Sequence, residues 1–358
     1  MISREVTRVK TREMTTSARL KTHVSGFEKH LKNASDFLVK CQIAEPYVQK
    51  GILKGSVCPW EIGVADTSGL TILEDFHDTL EALWVWCYYT RVSNKQTYMP
   101  NIEMGWNYIV NNFERHIPPN EENKGLYDCS LVILSGSLYE DVFSNRTHHR
   151  WIEDAGNRLA HYLDSISSQT CYSDFWIESC FVWWMAACLG SAAQLARNQE
   201  WLRIARTFVK HTVGEKENPF TYVDRESRPV GGIGDHECYS CNASKALAIL
   251  SCRPSEKVLK ETIIGKFLPL TPRGFVKRPV DENPWNANVA MALGKSYLVT
   301  GENVFLEKYL SIMDELKKRD IQNSSALPRC EGFLARESWV TFFYAYAYSS
   351  IIQDVYSK

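Results

Sequence analysis

The stretch Asn283-Pro-Trp-Asn-Ala-Asn-Val-Ala-Met-Ala-Leu-Gly-Lys-Ser-Tyr-Leu, then Val299-Thr-Gly-Glu, then Val304-Phe-Leu-Glu-Lys-Tyr-Leu-Ser-Ile-Met, decides the fold. Its first part is apolar around most of a helical circumference, which marks a helix buried on every side. Its last part places Leu306, Tyr309, Leu310, Ile312, Met313 and Leu316 at helical spacing, with Glu307, Lys308, Asp314 and Glu315 opposite, so that helix has one wet face. A short link between the two makes them a hairpin. The unit recurs, with apolar helices starting near Asp75, Asp128, Asp174, Asp235, Asn283 and Glu337, at spacings of 46 to 61 residues. Repetition of this kind marks stacked units, none of which buries its apolar face alone. Six such hairpins close into an all-α (α/α)6 toroid, with apolar helices inside and amphipathic helices outside.

The two ends of the chain agree with a closed ring. A first helix from about Arg19 to Gln42 carries Phe27, Leu31, Phe37 and Leu38 on one face and has no partner before it. The last helix, from about Ser338 to Tyr356, has none after it, so the two are expected to pair. Links from inner to outer helix are short, whereas the connections into inner helices are long. Residues 43–73, 117–126, 166–173, 213–234, 269–282 and 319–335 therefore gather on one face, around six helix N-termini. Function tends to sit on loops held by a rigid scaffold, and helix N-termini favour negative charge.

No Pro/Gly/Ser tract or low-complexity segment interrupts the repeat, so residues 1–358 read as one toroid domain with a basic arm at about 1–18, where Arg4, Arg8, Lys10 and Arg12 fall. A net charge of −1 gives no electrostatic reason to expect nucleic acid. The longest apolar run, Phe181-Val-Trp-Trp-Met-Ala-Ala-Cys-Leu-Gly, is half of what a bilayer requires, so no transmembrane segment is expected. Eleven cysteines with no apolar leader point to reduced thiols and a cytoplasmic location. There is no phosphate-binding loop, dinucleotide fingerprint or nucleophile elbow.

The helix starts are rich in acids and aromatics. Capping accounts for a single Asp or Glu per helix, and Asn283-Pro284 is itself a cap with Pro at the first helical position. Capping accounts less well for the pairs Asp75/Asp78, Asp174/Glu178 and Asp235/Glu237, which with His77 are the candidate catalytic residues. Trp60, Trp176, Trp285 and Trp339, with Asp128, Arg278 and Arg336, are the candidate substrate-binding residues. Aromatic faces stack on sugars or stabilise carbocations, and guanidinium groups hold anions. Cys238-x-x-Cys241 with His236 has ligand types that suit zinc, a possible cofactor.

Two motifs carry a resemblance. Leu73-Glu-Asp-Phe-His-Asp-Thr-Leu resembles the Asp-x-Asp-Asp-Thr-Ala motif of class II terpene cyclases, such as squalene–hopene cyclases. Asp75, Asp78 and Thr79 match, and His77 stands at the position of the family's general acid. Gly231-Gly-Ile-Gly-Asp-His-Glu-Cys-Tyr-Ser resembles the zinc-binding motif of protein prenyltransferase β subunits, with Cys238, Tyr239 and Ser240 matching and His236 at the family's Asp position. Both families use a helical toroid. The resemblance implies an isoprenoid-processing enzyme, with a hydrocarbon held among inner-helix aromatics such as Trp84, Trp86, Trp183, Trp184, Phe342 and Tyr344. Two alternatives come from the residues themselves. One is a six-hairpin carbohydrate-active enzyme, glycosidase or polysaccharide lyase, whose rim acids and Trp residues serve an oligosaccharide. The other is a non-catalytic binding scaffold. The expected partner is a small hydrophobic or oligosaccharide substrate.

Overall fold

The computed structural model describes residues 16–44, 54–167, 180–214, 235–277, 281–333 and 335–352. Helix α1 covers 16–25, a turn falls at Gly26, and α2 is Phe27–Cys41. There follow α3 Ile62–Ser68, α4 Phe76–Ser93, α5 Met99–His116, α6 Leu126–Phe143, α7 His149–Ser167, α8 Cys180–Leu195, α9 Gln199–Gly214 and α10 Asp235–Ser251. Helix α11, Glu256–Val258, runs into a π-helical stretch Leu259–Phe267 and a 3-10 turn Leu268–Leu270, and the chain closes with α12 Glu282–Thr300, α13 Asn303–Arg319 and α14 Ser338–Ser349. Among the described residues there is no strand beyond three isolated bridges.

Helices α4, α6, α8, α10, α12 and α14 pack each against the next, and α14 returns onto α4, so the inner ring is closed. Helix α2 packs on both α4 and α14 and supplies the outer partner of the last inner helix, which is the expected pairing of chain ends. The expected (α/α)6 toroid is what the chain forms. The inner helices are buried along most of their length: α4 from Phe76 to Thr90 is covered apart from His77. Helix α13 buries Phe305, Leu306, Tyr309, Leu310, Ile312, Met313 and Leu316 and leaves most of its charges outside, Arg319, with 11% of its side chain exposed, being the exception.

Local chemistry sets the helix limits. Asp75 caps α4, its carboxylate accepting from the Asp78 amide at 3.1 Å, and Asn94 ends the helix in the left-handed region at φ 55°. Gly301 ends α12 in the same way, at φ 73°.

The seam between first and last helices is aromatic. The His23 and His30 rings stack on Tyr348 at 3.7 and 4.2 Å, and His23 Nε2 meets the Tyr309 hydroxyl at 2.7 Å. Burial pushes His23 down to about 4 and His30 well below the usual histidine value, so the seam is uncharged at neutral pH.

Outer helices α7 and α9 approach closely at Gly156. A Cβ there would lie 2.1 Å from the Trp201 ring, which is fixed by its own Nε1 donating to Asn157 at 3.0 Å. Gly156→Ala is therefore expected to destabilise the fold by about 1–3 kcal/mol, read as a lower denaturant midpoint with an unchanged slope.

Candidate active site

The N-terminal ends of the inner helices surround a cavity of about 860 Å³. Among the described residues, its walls come from His77 at the start of α4, Tyr127 on α6, Phe181, Trp184 and Met185 on α8, Ser244 on α10, Pro284, Trp285 and Asn288 on α12, and Trp339 and Phe343 on α14. Asn123, Leu126, Tyr162, Val182 and Asp281 complete it. The walls are thus largely aromatic, with a few convergent polar groups, as in small-molecule sites.

His77 is half-exposed, with 45% of its side chain accessible, and its Nδ1 forms an ion pair with Asp128, whose side chain is 7% exposed. Buried Nδ1 faces the carboxylate, so the half-exposed ring presents its other edge to the cavity. Burial by itself would push the imidazole down. The hydrogen bond and charge of Asp128, with the charges of Asp75 and Asp78, outweigh it and raise His77 to about 9. At neutral pH His77 is an imidazolium seated on a buried carboxylate, a poised proton donor.

The acids beside it serve the fold. Asp75 is the α4 cap, and Asp78 is buried, accepting from the Ser338 hydroxyl in a short hydrogen bond that ties α4 to α14. Thr79 donates to the Asp75 carbonyl at 2.5 Å and accepts from the Val57 amide at 2.8 Å, which pins the connection before α4. Burial, then the neighbouring Asp75 charge, pushes the Asp78 carboxyl well above the usual range. Of the motif resembling terpene cyclases, His77 is the member that lines the cavity among the described residues.

Trp339 is held as firmly. Its Nε1 donates to Glu337, a fully buried carboxylate that Arg329 grips through Nε at 2.7 Å and Nη2 at 3.1 Å. Asp281, the one carboxylate among the described lining residues, sits in the left-handed region at φ 52°, and its Oδ1 lies 4.0 Å from Arg329 Nε.

Of the candidate binding residues, Trp285 and Trp339 line the cavity and Asp128 stands behind His77. Trp60 instead packs against the small cluster of Ile43, Cys58, Ala65 and Ile72. Arg336 donates to Glu61 at 2.7 Å and covers the Phe37 ring. Asp174, Trp176, Glu178 and Arg278 lie outside the described residues, as do the side chains of Asp235, His236, Glu237 and Cys238. Cys241 is 6% exposed within the core, and no group of three or more His, Cys, Asp or Glu among the described residues is placed to hold a metal. The expected aromatic lining also shifts: Trp184 lines the cavity, whereas Trp84, Trp86, Trp183, Phe342 and Tyr344 pack within the core. Tyr127, Phe181, Ser244, Asn288 and Phe343 were not foreseen as lining. Asn288 and Phe343 lie one helical turn beyond Trp285 and Trp339, the signal that would have found them.

No family model matches the chain, and no curated protein sequence matches it. Three solved structures show the same fold. An inactive variant of the α-1,6-mannanase GH76A of Salegentibacter sp. HEL1_6, with two adjacent aspartates changed to asparagine and α-1,6-mannotriose bound, is 10% identical with a TM-score of 0.62, covering 91% of this chain and 98% of its own. The GH76A α-1,6-mannanase itself is 9% identical with a TM-score of 0.61 over 91% and 98%. A D-mannose isomerase is 11% identical with a TM-score of 0.59, over 90% and 97%. At these identities the likeness is one of fold, and the chain is an (α/α)6 toroid protein. Among the described residues no helix is long and apolar enough to cross a membrane.

Proposed function

We propose that the protein is a carbohydrate-active enzyme, in which His77, held by Asp128, acts as proton donor to a sugar in the aromatic cavity. The observation that carries this reading is the cavity itself: aromatic walls that suit the C–H faces of a pyranose, with an imidazolium at its edge. The toroid neighbours named for mannan cleavage and mannose isomerisation support it over the isoprenoid reading. So does the chemistry of the resembling motif: a histidine raised to about 9 is a weak acid toward an alkene, and Asp75 and Asp78 are engaged in capping and in the α4–α14 seam.

A second reading concerns the reaction type. Hydrolysis of a glycosidic bond ordinarily uses two carboxyl groups across the substrate. Asp281 is the one carboxylate on the described wall, and the chain has no adjacent aspartate pair like the one altered in the inactive mannanase. Aldose–ketose isomerisation needs a donor at the carbonyl oxygen and a base for the adjacent C–H proton rather than two carboxyl groups across a glycosidic bond, and His77 would supply the donor.

Incubation with α-1,6-mannotriose and, separately, with D-mannose in D2O tests both readings by NMR. Released monosaccharide indicates a hydrolase, and a ketose carrying solvent deuterium indicates an isomerase. If neither sugar nor a panel of neutral and acidic oligosaccharides is bound or turned over, the carbohydrate reading fails.

A further inference from the structure

We infer that Trp184 and Asn288 form a hydroxyl-recognition point in the cavity, built for a polyhydroxylated ring. This rests on the carbohydrate reading above and adds the groups that hold the sugar.

Trp184 and Asn288 stand on α8 and α12, and α10 packs between these helices and carries Ser244. All three residues line the cavity and are at most 5% exposed. The Asn288 amide is oriented by its surroundings. Its Nδ2 donates to the Ser240 carbonyl at 3.2 Å and to the Ser240 and Ser244 hydroxyls at 2.7 and 3.1 Å. A carbonyl can only accept, so the nitrogen end is fixed toward α10 and Oδ1 is the free end. That Oδ1 is buried with no partner among the described residues, and so is the Nε1–H of Trp184.

Buried polar groups are ordinarily paired, and an unpaired acceptor and an unpaired donor on residues that line one cavity mark where a ligand could supply the partners. A hydroxyl both donates and accepts, so the hydroxyls of a polyhydroxylated ring have the chemistry to partner both groups. A hydrocarbon chain satisfies neither and would leave both stranded. The neighbouring Phe343 ring, 5.5 Å from Trp184, offers no polar group to either atom.

The test uses the full chain with 15N-labelled tryptophan and α-1,6-mannotriose or D-mannose as probe. The Trp184 indole N–H resonance, assigned by its loss in Trp184→Phe, is expected to move downfield as the probe saturates. Trp184→Phe and Asn288→Leu are each expected to bind the probe about tenfold more weakly. Asn288→Leu also removes the bonds to Ser240 and Ser244, so Trp184→Phe, which keeps them, is the decisive variant. A probe that binds the wild type while the Trp184 resonance stays still and Trp184→Phe binds equally well overturns this inference and leaves the carbohydrate reading intact. Absence of sugar binding to the wild type overturns both.

Discussion

His77→Gln is expected to lower turnover of the sugar substrate by roughly 10²–10⁴-fold at a temperature where the variant stays folded, and to lower the thermal midpoint at pH 7 because the buried Asp128 carboxylate loses its charged partner. Glutamine keeps a hydrogen-bonding group beside Asp128 and removes the transferable proton. The pH profile gives the sharper measurement. If His77 donates the proton, kcat/KM falls as pH rises through about 9, where the imidazolium is lost. Asp128→Asn removes the largest influence raising His77 and leaves burial, which lowers it, opposed by the charges of Asp75 and Asp78. The alkaline limb should therefore move to lower pH. A limb unmoved by Asp128→Asn would take the dyad out of the mechanism. The linkage to stability has the same sign. A group raised in the folded state contributes fully below its unfolded value of 6.5, and this contribution disappears as pH climbs through about 9.

That dyad was only half legible in the sequence. The repeat was legible because burial on all sides is a local property of an apolar helix: a start read at Asn283 falls one residue from the observed start at Glu282, and one read at Asp75 falls on the cap of α4. Pairing is a property of neighbours in space. His77 and Asp128 meet because α4 lies against α6, and nothing in the sequence around either residue states that contact. Asp75 and Asp78 show the converse. Their chemistry suits acid catalysis, but a backbone amide and the Ser338 hydroxyl reach them first. Trp60 and Arg336 sit close to helix starts in sequence. The connection before α4 folds beneath α3, however, and draws Trp60 into a small apolar cluster and Arg336 onto Glu61. Unpaired buried polar atoms, as at Asn288 and Trp184, emerge once the three helices are placed side by side.

Arg319→Met is expected to cost about 3–5 kcal/mol, because it removes the guanidinium paired with a buried carboxylate. Glu282 opens α12 and its side chain is 3% exposed, and Arg319, 11% exposed in the last turn of α13, meets it in a short ion pair. The guanidinium lies 4.3 Å over the Phe275 ring, and the same Glu282 oxygen accepts from the Glu331 amide at 3.1 Å. One buried pair thus joins an inner helix, its outer partner and two rim connections next to Asp281 and Trp285 on the cavity wall. Methionine refills much of the arginine volume and still covers Phe275, so the loss reports the stranded charge rather than a void. For a domain of this size the thermal midpoint should fall by about 4–7 °C. The double variant Arg319→Met, Glu282→Met separates charge from packing. Replacing both members of a buried pair by apolar groups is often close to neutral, so the double variant should recover much of the single variant's loss. A single variant as stable as the wild type would mean that water reaches Glu282, and the pair would then contribute no more than a surface salt bridge.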